Sequence, residues 1–382
     1  MTFRQAYERT LLTIVRTRDL MAVAILSVLL YAFYYPAPYG HQTARALPLV
    51  VVDQDDSDLS RAIVTRLDDT RAVQVVARTG DMAQARRLVQ ARRAEAILLL
   101  PRGGAGAIVA QRGAGGMALW LNGTYLLRAE GIGISVAEVA GDALAAWRAQ
   151  RGLDRRDEIA PPILLHPLFN TTSGYRDYIF PSVASIILQQ TLLFACARLV
   201  AERRRRGERP PGTVEAVGIW AACATIGCLA ALFYFGFVYW VQDIPRMGNP
   251  IGLALAVPAF AAAVSALGLW LGGFFADGDD ALKVLLPTSV PLVFLGGFAW
   301  PLDQMPGWLA TLAWLSPATG GMHAFVRLNQ MGATLAETGW PLAILAILAA
   351  GYGGAFMIAS RWRLAGFAAR PSTAPMRGQD GG

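Results

Sequence analysis

Charge is scarce in this sequence, and lysine is nearly missing. Of 382 residues only 16% are charged, against about 25% in an average soluble domain. Lys283 is the only lysine, and every other basic side chain bar three histidines is arginine. The mean hydropathy is +0.40. This balance excludes a disordered chain, which needs low hydrophobicity and high charge. It also argues against an ordinary soluble enzyme. Three cysteines cannot staple a disulfide scaffold, and three histidines are few for a metal protein. Two glycine-rich stretches, at 103–106 and 113–116, match neither GxxxxGK[ST] nor GxGxxG, so no nucleotide-binding loop is recognised. An integral membrane protein with a soluble portion remains.

The spans are read from runs without charge. Asp19 to Arg45 encloses 25 uncharged residues, Asp177 to Arg198 encloses 20, Glu215 to Asp243 encloses 27, Arg246 to Asp277 encloses 30, Lys283 to Asp303 encloses 19 and Glu337 to Arg361 encloses 23. Each supplies the roughly 20 apolar residues that cross a ~30 Å hydrocarbon core. A seventh run, Asp303 to Arg327, is interrupted by Pro306, Gly307, Pro317, Gly320 and Gly321. It predicts one short re-entrant or interfacial helix of about 8–10 residues rather than a span. Arginines cluster before the first run (Arg4, Arg9, Arg16, Arg18), after the second (Arg198 and Arg203 to Arg209) and after the sixth (Arg361, Arg363, Arg370, Arg377). The positive-inside rule places all three clusters in the cytoplasm, which six spans satisfy and seven do not.

The predicted fold is therefore a polytopic α-helical membrane protein. It has six transmembrane helices, an inserted extracytoplasmic α/β domain, and a re-entrant helix between spans five and six. The expected order is a cytoplasmic amphipathic interface helix over 1–19, spans at 20–38 and 178–199, and the external domain at 39–177 between them. A cytoplasmic loop at 200–213 leads to spans at 214–241, 251–275 and 281–300. The external re-entrant region at 301–336, a span at 340–360 and a cytoplasmic tail at 361–382 complete it. Phe3, Tyr7, Leu11, Ile14 and Val15 recur at helical spacing and give the first segment its apolar face. In the external domain, strands at 47–52, 73–77, 96–100 and 117–121 alternate with helices at 58–67, 81–93 and 124–151, the pattern of a small α/β fold. Asp53, Asp55, Asp56 and Asp58 lack the glycine and terminal glutamate of a calcium loop, and read as a strand-end turn with a helix cap. His41 and His166 have no nucleophile or ligand set beside them and read as structural.

Polar features mark the remaining candidates. Gln189 and Gln190 sit mid-span, where polar groups face other protein or a cavity. They either line a substrate path or make interhelical hydrogen bonds. Tyr234, Tyr239 and Trp240 suit an aromatic belt at the outer interface. The loop Glu202-Arg203-Arg204-Arg205-Arg206-Gly207-Glu208 is compact and mixed in sign. It either fixes topology and binds acidic lipid, or docks a cytoplasmic partner. Asp277, Asp279 and Asp280 with Lys283 are the other compact charged set, and read as a short polar inner loop.

Four segments carry a resemblance. They are Arg16-Thr17-Arg18-Asp19-Leu20, then Val51-Val52-Asp53-Gln54-Asp55-Asp56-Ser57. The third runs from His166-Pro-Leu-Phe-Asn170 through Tyr175 to Pro181 and on to Gln189-Gln190-Thr191. The fourth joins Gly296-Gly297-Phe298-Ala299-Trp300-Pro301, Met305-Pro306-Gly307-Trp308, Ser316-Pro317 and Phe325-Val326-Arg327-Leu328-Asn329-Gln330. In this order the chain resembles the ABC-2 type transporter permeases that carry a large external domain after span one. The resemblance implies a subunit of a bacterial inner-membrane exporter, multi-pass with both termini inside, moving a hydrophobic or amphipathic substrate outward. It implies no cofactor on this chain, with ATP and magnesium on a separate ATP-binding-cassette ATPase. The implied partners are that ATPase, a second permease copy or paralogue, membrane lipid and a periplasmic adaptor; nucleic acid is not among them. The ATPase-coupling residues it implies are Arg18, Asp19, Glu202, Arg203, Arg204, Arg205, Arg206, Gly207 and Glu208. Gln189, Gln190, Tyr234, Trp300, Pro301 and Trp308 are placed along the translocation pathway. No residue is assigned to catalysis or to a metal. The rival readings are an ATPase-independent membrane-anchored binding or scaffold protein and a membrane-embedded transferase or hydrolase.

Overall fold

The computed structural model describes residues 1–40, 45–104, 117–122, 126–152, 170, 174–246 and 248–368. His41, His166, the residues 105–116 and those beyond 368 lie outside them. The chain divides into two compact units, one of residues 1–40 with 167–382 and one of residues 41–166.

The smaller unit is built on a four-stranded sheet in the order β2-β1-β3-β4. Its strands are β1 (Leu47–Asp53), β2 (Val73–Thr79), β3 (Ala96–Leu100) and β4 (Ala118–Leu121). β1 runs parallel to β2 and β3, and β4 is antiparallel to β3. Leu47 to Val52 read as a continuous apolar run because both faces of β1 are covered. Leu47, Leu49 and Val51 pack with Leu59, Ile63 and Leu67 of α3 (Asp58–Asp68) and with Ile132, Val136 and Trp147 of α5 (Leu126–Gln150). Val50 and Val52 point the other way, onto Ala85 of α4 (Met82–Gln90). The period-2 alternation of a strand produces this division.

The acidic turn after β1 organises the strand end. Asp53 accepts the amides of Asp55 and Asp56 at 3.1 and 3.0 Å and the Arg78 guanidinium at 2.6 Å. Ser57 then caps α3 by accepting the Ser60 amide at 3.1 Å. The Asp53 side chain is only 1% exposed. Burial works against the Asp53 charge, but the Asp56 amide, the Ser60 hydroxyl and Arg78 together outweigh it and hold the carboxyl below its ordinary range.

The larger unit is helical. α1 (Phe3–Arg16) leads into α2 (Arg18–Tyr39); α6 (Tyr175–Arg205), α7 (Thr213–Val241), α8 (Pro250–Gly272) and α13 (Gly339–Ala368) follow. Five helices, α2, α6, α7, α8 and α13, are long and apolar enough to cross a membrane among the described residues. α6 is the hub, packed against α7 and α8 and buried along most of its length. Small residues let the backbones touch. A Cβ on Gly272 would lie 2.5 Å from the Ala197 carbonyl oxygen, and one on Gly268 2.8 Å from that of Leu193. Such close approach is how helices pack where the surrounding medium supplies no hydrophobic drive.

Several elements differ from the sequence expectation. The run expected as span 281–300 is folded in pieces: α9 (Gly278–Leu285), a tight turn over Leu286–Thr288, and α10 (Ser289–Leu295). Pro287 and Pro291 each remove a backbone donor, and Pro287 falls at the interruption. The expected single short helix of 304–326 is two, α11 (Gly307–Ala313) and α12 (Pro317–Phe325). Pro317 does not break the second; it occupies its first turn, where a missing N–H costs nothing. Gly321 lies inside α12 because a Cβ there would meet the Phe260 ring at 2.6 Å. The loop expected at 200–213 is shorter, because α6 continues to Arg205. α1 lays Ala6, Thr10 and Ile14 on α7, leaving Phe3 and Val15 exposed. Tyr7 hydrogen-bonds Thr225 at 3.0 Å.

Replacing Asp53 by Asn should destabilise the smaller unit by about 2 kcal/mol, the loss of charge-assisted bonds at a buried site. Because the folded-state pKa lies below the ordinary one, the stability Asp53 supplies is complete above the ordinary carboxylate range. It drains as pH falls through that range and below it. Protection factors of the β1 amides in the full-length protein, each corrected for the intrinsic exchange rate at its pH, should fall between neutral pH and about pH 3 for the native chain and much less for Asp53→Asn.

Candidate functional site

The loop after α6 is set by a single glycine. Gly207 stands at φ +67. Its amide donates to the Arg204 carbonyl at 2.9 Å and the Glu208 amide to the Arg203 carbonyl at 3.0 Å. This is a Schellman ending, which requires the left-handed conformation that glycine adopts freely. The reversal carries Glu208 back alongside α6.

There Arg203 bridges two carboxylates, Glu208 and Glu215, both at 3.1 Å. Glu215 opens α7, so the triad ties α6 to α7. Arg9 of α1 also approaches Glu208, at 3.8 Å. One turn deeper in α6, Arg198 donates to Asp19 at 2.7 Å and to Asp279 at 2.9 Å, joining α2 and α9. It passes over Gly278, where a Cβ would lie 2.6 Å from its Cγ. Glu202 holds Arg205 at 2.5 Å and Arg206 at 3.2 Å along its own helix. These groups surround a cleft of about 340 Å³. Five arginines (9, 198, 203, 205, 206) face six carboxylates (Asp19, Glu202, Glu208, Glu215, Asp277, Asp279) around it. The near balance of sign disfavours a phosphate or nucleic-acid surface and suits a protein partner of mixed charge.

Of the residues expected to couple, Asp19, Glu202, Arg203, Arg205, Arg206 and Glu208 line this one cleft. Gly207 forms the turn beside it. Arg204 points elsewhere, donating to the Gly273 carbonyl and to that of Phe275 at 3.0 Å. Arg18 is exposed at the start of α2 and is not among the cleft's lining residues. Arg198, Arg9, Glu215 and Asp279 also line the cleft but are not among the residues expected to couple; Asp279 reads in the sequence as part of a short polar inner loop. A basic residue one turn inside the apolar end of α6 was the available signal for Arg198.

The residues expected along a pathway divide in two. Gln189 is buried, 1% exposed. Its oxygen accepts the Ala318 amide at 2.6 Å and the Ser316 hydroxyl at 3.2 Å, capping α12 from a neighbouring helix. Gln190 donates to Ser289 at 2.7 Å and to Thr288 at 3.4 Å, at the interruption between α9 and α10. Both glutamines therefore make interhelical hydrogen bonds. Tyr234 and Tyr239 are fully buried, and Tyr234 donates to the Val28 carbonyl at 3.2 Å. Trp240, their expected companion in an interfacial belt, is exposed. Trp300, Pro301 and Trp308 are exposed as well, Trp308 by 69%. His323 stacks on Trp314 at 5.2 Å.

The match to a family model decides the class. Residues 19–358 match that of an ABC-2 family transporter protein. The chain belongs to the ABC-2 transporter family. It is a membrane component of that transporter class, not itself catalytic. Curated relatives are proteins described as "Probable multidrug ABC transporter permease YbhR" in Escherichia coli strains K12 and O157:H7, each 19% identical over 156 residues. Those residues are 39% of this chain and 42% of each relative, so the match spans well under half of their length.

Two outcomes follow from this geometry. Arg203 is 22% exposed and Arg205 58%. Arg203→Ala leaves two carboxylates facing each other and should destabilise by about 2 kcal/mol, whereas Arg205→Ala should change stability by less than about 1 kcal/mol. Thermal unfolding in detergent should rank the two in that order. Gln189→Leu uncaps α12 inside the protein and should destabilise by about 1–3 kcal/mol, with exchange of the Ala318 amide accelerating first.

Proposed function

We propose that this chain is the permease subunit of an ATP-binding-cassette exporter in a bacterial inner membrane. It moves a hydrophobic or amphipathic substrate outward, driven by ATP hydrolysed on a separate subunit that holds the nucleotide and magnesium. The chain itself carries no cofactor in this reading. Arginine clusters support cytoplasmic termini and a cytoplasmic loop after α6, with the unit of residues 41–166 on the outer side. On that reading α9 and α10 form a broken fifth crossing, α13 a sixth, and α11 with α12 a re-entrant pair near the exit. Irregular backbone at that depth needs internal partners, and the bond from the Ala318 amide to Gln189 is of that kind. A second permease copy or paralogue completes the pathway, and an adaptor can dock on the outer unit.

The observation that carries this reading is the cleft. An ATPase that docks there touches ion pairs from α1, α2, α6, α7 and α9 at once. Closure of two ATPases then moves these helix ends together, and α6 transmits the displacement toward the middle of the bundle. Trp300, Pro301 and Trp308 are the exposed contacts for substrate. Gln189 and Gln190 reach the substrate only when α12 and α10 release them.

The test is affinity purification of the full chain from cells that express its native neighbours, in mild detergent, with vanadate-sensitive ATP hydrolysis as readout. A stoichiometric ATPase should copurify, and replacement of residues 202–208 should remove it while the permease stays monodisperse. A folded preparation without partner and without hydrolysis would overturn the exporter in favour of an ATPase-independent scaffold.

A further inference from the structure

We propose that Arg204, Arg209 and Arg363 form a binding site for the phosphate of an anionic membrane phospholipid, at the end of the bundle where α6, α8 and α13 finish. The site lies beside the coupling cleft but differs from it in charge. Arg203, one residue earlier, is neutralised by Glu208 and Glu215. Arg204, Arg209 and Arg363 have no carboxylate within ion-pair distance among the described residues, and all three line one recess.

Arg204 and Arg363 meet at Gly273. Arg204 donates to the Gly273 carbonyl, and a Cβ on Gly273 would fall 2.0 Å from the Arg363 Nη1. Two guanidiniums thus approach one glycine, Arg204 at its carbonyl oxygen and the partly buried Arg363 at its Cα. Like charges placed this close disfavour each other unless an anion joins them. Guanidinium forks match phosphate oxygens in geometry as well as in sign.

The recess itself selects the ligand. Its volume is about 50 Å³, and Phe356, Val200 and Pro210 form part of its wall. A recess of this size suits a small anionic group better than a large ligand. The only carboxylate on its lining is Glu208, already held by Arg203. A lipid is favoured over a free anion by position. Two of the arginines close apolar helices long enough to span a membrane, and Trp362, beside Arg363, is 77% exposed. Exposed tryptophan and arginine at the end of an apolar helix are the usual anchors at headgroup level.

The full chain in mild detergent, titrated with short-chain phosphatidylglycerol and with phosphatidylcholine, tests this by native mass spectrometry. The native protein should retain phosphatidylglycerol about tenfold or more better than phosphatidylcholine. Arg204→Gln with Arg363→Gln should erase that preference, Arg204→Lys with Arg363→Lys should keep most of it, and Arg246→Gln, at the opposite end of the bundle, should leave it unchanged. If the double glutamine variant does not remain monodisperse, Arg209→Gln alone decides, with an expected loss of several-fold. Absence of preference in the native chain, or its survival in the glutamine variants, would overturn the site. Displacement of phosphatidylglycerol by equimolar inorganic phosphate would assign the recess to a free anion and overturn the lipid. None of these readouts depends on an ATPase partner.

Discussion

Almost everything in the larger unit follows from one constraint on α6. Over its most apolar stretch 89% of the residues are buried inside the protein, against 22% for α13. A helix in that position cannot leave polar side chains to water, so each must bond within the chain or carry a large desolvation penalty. Thr191 turns back to its own carbonyls at Ile187 and Leu188. Gln189 and Gln190 reach outward and bond segments whose own backbone is interrupted. Gln189 supplies an acceptor to the Ala318 amide at the start of α12, while Ser185 Oγ and Gln190 Oε1 stay buried without a partner among the described residues. A long, regular helix thereby stabilises short, irregular ones that have no means to satisfy their own ends.

The sequence made part of this legible. Charge-free runs located five long helices because burying or lipid-facing a charge is costly over any apolar length. A continuous apolar run and the acidic turn of Asp53 to Asp58 placed β1 and α3 within a residue or so of their observed ends. What escaped is non-local. Arg198 meets Asp19 across 179 positions and Asp279 across 81, and nothing in the spacing of those residues announces the contact. Composition alone also misjudged breakers. Pro287 interrupts a run that looked continuous, while Pro317 begins a helix in a run that looked broken. The burial of Tyr234 and Tyr239, against the exposure of Trp240, was equally hidden, because all three are aromatic and lie in one apolar run.

The arginine run shows why sign and count are poor guides to such a loop. Successive residues on a helix point about 100° apart. Arg203, Arg204 and Arg205 therefore serve three surroundings: a triad with two glutamates, the carbonyl end of α8, and an exposed pair with Glu202. The paired members are suited to mixed-charge protein contact, and the unpaired one to phosphate. Helical geometry distributes the run over distinct surroundings.

The same helix joins the two levels at which the chain is polar. Gln189 and Arg203 are 14 residues apart on α6, about 21 Å at the usual rise, and the helix is continuous between them. A displacement of the charged end therefore cannot be absorbed by an intervening hinge; Pro181, the only proline inside α6, lies beyond Gln189 on the far side. The hydrogen bond from Ala318 to Gln189 has little slack at 2.6 Å, so a shift of α6 along its axis by even 1 Å must either drag α12 with it or break the cap. The close backbone contacts at Gly268 and Gly272 press in the same direction, since interlocked surfaces move as bodies and do not deform continuously. The physical link between the cleft and the broken helices is thus a rigid one. Two of its contacts with the broken helices are the side-chain amides of Gln189 and Gln190, bonded to the start of α12 and to Ser289.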